Sequence, residues 1–121
     1  MTKPGSRVGA IRDADNEIVH LFGYGVYEGD FELPDNARTP FGSVSEIRVG
    51  MCEHFGYSAG TPVEQWGEEH QKMFKRATTN PRIKLDSGSV VWGCQCWWAS
   101  EEDVKKSVGD RKVEIVPVYD A

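Results

Sequence analysis

Three cysteines, three histidines and one run of cations are the residues of this 121-residue chain that could do chemistry. Cys94 and Cys96 lie in "VVWGCQCWWAS", residues 90–100, among Trp92, Trp97 and Trp98. On one face of a strand, residues two apart reach only the outer limit for a disulfide. A zinc site would have to recruit Cys52 and His54. The single-residue gaps of Cys52-x-His54 and Cys94-x-Cys96 are shorter than the roughly two to four residues usual between paired ligands. A thiolate nucleophile needs a base beside it. His20, His54 and His70 stand in no cysteine-hydrolase pattern, and His70 falls on an apolar helix stripe where a histidine is ordinarily structural. A small cysteine- or metal-dependent enzyme is therefore the weaker alternative, and no metal or cofactor is expected.

The cations are more informative. Lys72, Lys75, Arg76, Arg82 and Lys84 occupy a segment free of Asp and Glu, in a chain whose net charge is −5. An acidic chain argues against duplex nucleic acid, whose binding needs a basic surface. A local cationic island still suits a compact anion. Read as one strand, residues 90–100 put Trp92, Cys94, Cys96 and Trp98 on a core face and Gln95 and Trp97 on the wet face. A tight turn at Ser87-Gly88 would set Lys84 opposite Val91 and Arg82 opposite Gly93. Arg82, Lys84, Gln95 and Trp97 then compose a phosphate-plus-base surface, with Arg76 and Tyr24 behind them. Trp97 at a subunit interface is an equally weighted alternative, and the two agree if pockets form between subunits.

The elements that must position these residues read in order. "RVGAIRD" and "IVHLFGYGVYEGD" form a hairpin about "ADNE", with Gly23, Gly25 and Gly29 marking bulges or close approach. "ELPDNARTPFG" is a loop. Ser43 with Glu46 caps a helix that Gly56 stops. Thr61 caps the next, Pro62 opens it, and Val63, Trp66, His70, Met73, Phe74 and Ala77 form its buried stripe. "PRIKLD" begins a second hairpin. Ser100 with Asp103 starts a short helix ending at Gly109, and "RKVEIVPVY" is the last strand. The order β-β-α-α-β-β-α-β predicts an α+β fold: an antiparallel sheet of about five strands with helices packed on one face, in a single domain over residues 1–121.

No apolar run approaches the roughly 20 residues of a membrane span. The start, "MTKPGSRVGAIRD", has no apolar h-region, and the odd cysteine count fits reduced thiols, so a cytoplasmic protein is expected.

"LFGYGVYEGD" and "NPRIKLDSGSVVWGCQCWW" together resemble a family of small phage and mobile-element proteins, the Thoeris anti-defence sponges. The resemblance implies an oligomer that sequesters cyclic ADP-ribose-type signals without degrading them. It covers about thirty residues, spares the central helices, and carries no ligand contact onto a position here. An orphan protein of an integron gene cassette fits the same segments. Residues and resemblance agree on a homo-oligomeric, non-catalytic protein that binds a small phosphate-bearing molecule, with a ligand-free protein-interaction module as the alternative.

Overall fold

The computed structural model describes residues 2–118, so Tyr119, placed in the last strand by its sequence, lies outside the described residues. The fold is α+β, with a mainly antiparallel, open sheet. The chain divides into two compact units. One joins the residues up to Phe31 with those from Asn80 onward; the other spans Glu32–Thr79.

The first unit contains the six-stranded sheet. β1 (Arg7–Ala14) and β2 (Ile18–Glu32) make the expected hairpin, closed by Asp15, whose carboxylate accepts the Glu17 and Ile18 amides at 2.7 and 2.8 Å. β5 (Thr79–Leu85) follows β2, β6 (Val90–Trp92) pairs with β5, and β7 (Trp97–Ser100) pairs with the far side of β1. β8 (Lys112–Ile115) runs parallel to the first residues of β2.

β6 and β7 end the path β6-β5-β2-β1-β7, yet only residues 93–96 join them. Five flat strands would separate the outermost pair by about 19 Å, more than a short turn spans. The sheet must curl. Val8, Ala10, Phe22, Tyr27, Ile83 and Val91 fill its inside together with Trp98, which stacks on Tyr27 at 5.1 Å. The opposite face buries Ile11, Val19 and Leu21 under Val104 and Val108 of α3 (Glu101–Val108). One bulge lets β2 serve both faces. Ala10 pairs with Gly23 but Ile11 with Leu21, so Phe22 is the extra residue and the alternation changes phase there. α3 starts and stops as read: Ser100 Oγ accepts the Asp103 amide, and Gly109 ends it at φ +57.

The second unit carries the ribbon β3 (Arg38–Thr39) with β4 (Gly42–Ser43), then α1 (Val44–His54) and α2 (Glu68–Thr78). Ser43 caps α1 through the Glu46 amide, as read. α2 departs from expectation, because its helical course begins only after Gly67. Thr61 donates its hydroxyl to Ser58 O instead of capping, Val63–Gln65 form a 3₁₀ turn, and Trp66 is extended. Tyr57 explains the break: its ring stacks on Trp66 at 5.6 Å and its hydroxyl accepts the Gly67 amide at 2.7 Å. The expected stripe is cut short accordingly, and Met73 and Ala77 are exposed. Within this unit the Leu33 amide donates to Thr78 O at 2.8 Å.

Candidate functional site

β5 directs Ile83 and Leu85 into the core, so alternation turns Arg82 and Lys84 to the other face. Their cross-strand neighbours are Trp92 and Val90, not Gly93 and Val91. The turn is one residue longer than read. Leu85 N–H donates to Ser89 O and Gly88 N–H to Leu85 O, enclosing Asp86, Ser87 and Gly88, with Gly88 at φ +98.

Residues 90–100 are not one strand. After Trp92 the chain enters a 3₁₀ turn, Gly93–Gln95, in which Asn80 Oδ1 accepts the Cys94 amide at 2.7 Å. Gln95 turns back, its Oε1 accepting the Trp92 amide at 3.1 Å. The turn at this place requires glycine. A β-carbon there would meet Pro81 at 2.9 Å and Trp98 Nε1 at 3.0 Å. The turn resets the faces: Trp98 points inward, whereas Trp92 stands opposite Arg82 on the other face. Trp97 is 52 % exposed, as its predicted wet face requires, but it pairs with Ile11 of β1 rather than lying beside Arg82.

Of the six predicted residues, Arg82 and Lys84 are therefore brought together. Gln95 holds the 3₁₀ turn. Tyr24 packs beneath α3 with Lys105 Nζ 5.4 Å from its ring, and burial raises its phenol pKa. Arg76 is exposed on α2, in the other unit.

The groups that complete the Arg82 site come from the end of β2. The Arg82 guanidinium lies 5.6 Å from the Phe31 ring centroid, and its Nε is 3.3 Å from Glu28 Oε1. That buried Nε–H makes no hydrogen bond among the described residues. Phe31 is 44 % exposed. Glu28 and Phe31 are three apart on a strand, and Gly29 at φ +108 permits the change of phase between them. In the sequence, the signal lies in the glycine of "YEGDFE", which marks a bulge or close approach but does not by itself bring Phe31 to the Arg82 side.

The thiols are poor nucleophiles in this setting. Burial, with the neighbouring Cys94, pushes Cys96 up to about 12, and burial also raises Cys94. Cys52 is buried and directs its Sγ to Ser58 O. Among the described residues no three His, Cys, Asp or Glu side chains gather to hold a metal ion. His70 is structural in its contacts: its ring lies flat on Phe55 at 3.8 Å and its Nδ1 is 2.6 Å from the Tyr57 hydroxyl.

The second unit has a cavity of about 350 Å³ whose charged lining is Glu32, Asp35 and Glu64 against Arg48 and Lys75. Arg48 is already held by Asp35 at 2.6 Å, so this cavity is a poor seat for an anion. No known protein family, no curated protein and no solved structure matches the chain.

Proposed function

We propose that the protein is a non-catalytic binding protein that holds a small phosphate-bearing ligand, with Arg82 as its anchor. The observation that carries this reading is the Arg82–Phe31 pair. A part-exposed guanidinium over a half-exposed aromatic ring, its buried Nε facing Glu28, offers its remaining N–H donors to phosphate and a ring edge for a base. Lys84, exposed on the same face of β5, adds positive charge. Glu28 neutralises Arg82 until an anion displaces it, which favours a multiply charged ligand over a weak one. The chain's net charge of −5 disfavours long polyanions at the same surface. With burial raising the Cys94 and Cys96 thiols, the chemistry fits retention of the ligand rather than its conversion. Capture of a nucleotide signal, the role implied by the resemblance to the Thoeris sponges, is the biological form of this reading.

Calorimetric titration with AMP and with cyclic ADP-ribose tests it. Arg82→Ala should weaken binding at least tenfold, Glu28→Gln should strengthen it, and the ligand should be recovered unchanged by mass spectrometry. Equal binding by the wild type and Arg82→Ala, or no binding of either compound, would sink the proposal.

Trp97 supports a second reading, a protein-interaction module. A tryptophan 52 % exposed on an edge strand is the kind of residue interfaces bury. Trp97→Ala would then change the assembly while leaving nucleotide affinity untouched.

A further inference from the structure

β8 is an edge strand with its apolar side chains uncovered. Val113 is 40 % and Ile115 69 % exposed. They pair with Val19 and Leu21, so they lie on the face that α3 covers farther along the sheet. The Lys112 amide donates to Glu17 O and the Val116 amide to Leu21 O, both at 2.9 Å. Even-numbered residues thus turn their backbone groups toward β2, and Val113 and Ile115 turn theirs away. Among the described residues no strand lies on that side. Edges of this kind are usually blunted by proline or unbalanced charge, yet Lys112 and Glu114 cancel and Pro117 comes only after the strand.

The pattern Lys112-Val113-Glu114 is self-complementary in the antiparallel sense. A two-fold axis at Val113 places its outward N–H and C=O against those of the second copy, giving two reciprocal hydrogen bonds. The same axis sets Lys112 of each chain opposite Glu114 of the other, twice. Lys112 Nζ already lies 3.7 Å from Glu114 Oε1 within the chain, and His20 Nε2 stands 3.4 Å from Glu114 Oε2, so the carboxylate is held in place before any partner arrives. We propose that the free edge of β8 binds a second copy of this chain as an antiparallel strand centred on Val113. The interface is isologous and closes on itself, which limits growth to a pair at this edge.

The test is analytical ultracentrifugation of the full chain across a dilution series, with a cross-linking variant beside it. The wild type should sediment at an even multiple of the chain mass, and Val113→Pro should halve that mass. Because the Val113 N–H points away from β2, proline costs the single chain no ladder bond, and circular dichroism should be unchanged. Val113→Cys should form an intermolecular disulfide on mild oxidation, since paired residues in such a ladder lie within bridging distance, whereas Val49→Cys should not. Lys112→Glu, which sets like charges across the axis, should shift dissociation to higher protein concentration. A wild type that stays a single chain at every concentration, or an assembly indifferent to both Val113→Pro and Lys112→Glu, would overturn the proposal. Nucleotide affinity does not enter this readout, so it stands or falls apart from the Arg82 site.

Discussion

Both carboxylate oxygens of Asp86 receive hydrogen bonds from Arg7, each at 2.7 Å, which ties the start of β1 to the β5–β6 turn. Arg7 also reaches Glu101 at 3.1 Å, at the first turn of α3.

This pair sets the response to acid. Arg7 holds the Asp86 carboxyl below the usual carboxylate range; His20 and Arg12 do the same to Asp13, and the Glu17 and Ile18 amides to Asp15. The folded state therefore binds these protons less tightly than the unfolded chain. Their stabilisation is complete above the ordinary aspartate value of about 3.9 and is lost as pH falls through the lower folded values. Thermal midpoints should hold steady down to about pH 4 and then fall. Asp86→Asn should flatten part of that fall, modestly because the pair is exposed. Parallel curves for the two proteins would show that the pair contributes nothing.

Gly25 is the glycine least able to change. An added β-carbon would stand 2.1 Å from the Lys84 carbonyl oxygen and 2.6 Å from Leu85 Cα, both backbone. Gly25→Ala must separate β2 from β5 and should cost about 3 kcal/mol or more in urea unfolding. Gly88→Ala has open space around it and only a left-handed φ to strain, so about 1–2 kcal/mol is expected. The reverse ranking would mean that the strands adjust more readily than the turn.

Removing either helix cap tests the local reading of the sequence. Ser43→Ala and Ser100→Ala each delete the acceptor for one amide, from Glu46 and Asp103 respectively. Each should lower stability by about 1 kcal/mol, measured by denaturant titration followed by circular dichroism.

Cys96 should resist thiol reagents in the folded protein. Held near 12, it is a thiolate in about one molecule in 10⁵ at neutral pH. Time-resolved labelling with a chromogenic disulfide, using Cys94→Ser to separate the neighbours, should show Cys96 reacting only after denaturant is added. Prompt labelling of the folded chain would return a cysteine mechanism to consideration.

The parts legible in the sequence were those fixed by near neighbours. Ser43 and Ser100 announce helices because a cap and its amide are three residues apart. The β1–β2 hairpin is legible for the same reason. What escaped depends on contacts distant in sequence. The break after Trp92 packs Gly93 where Pro81 and Trp98 leave no room for a side chain and lays the Cys94 amide on Asn80, and the break before α2 rests on the Tyr57 hydroxyl. Side-chain alternation shows that β8 is a strand but not that it runs parallel to β2. Arg82 and Lys84 are legible from the cationic run and the hairpin that follows it. Phe31 is not, because a change of phase at Gly29 separates it from the pattern of its own strand.

The position of β1 between β2 and β7 also governs the chain during its synthesis. β1 leaves the ribosome ahead of both partners and finds β2 almost at once, but β7 follows only after α1, α2, β5 and β6. Until β7 emerges, a nascent chain presents the open edge of β1 and a bare Ile11, with Val104 and Val108 of α3 still to come. Its exposure to misassembly is thus set by elongation time, and a ribosome stalled before Trp97 would hold the chain in its most adhesive state.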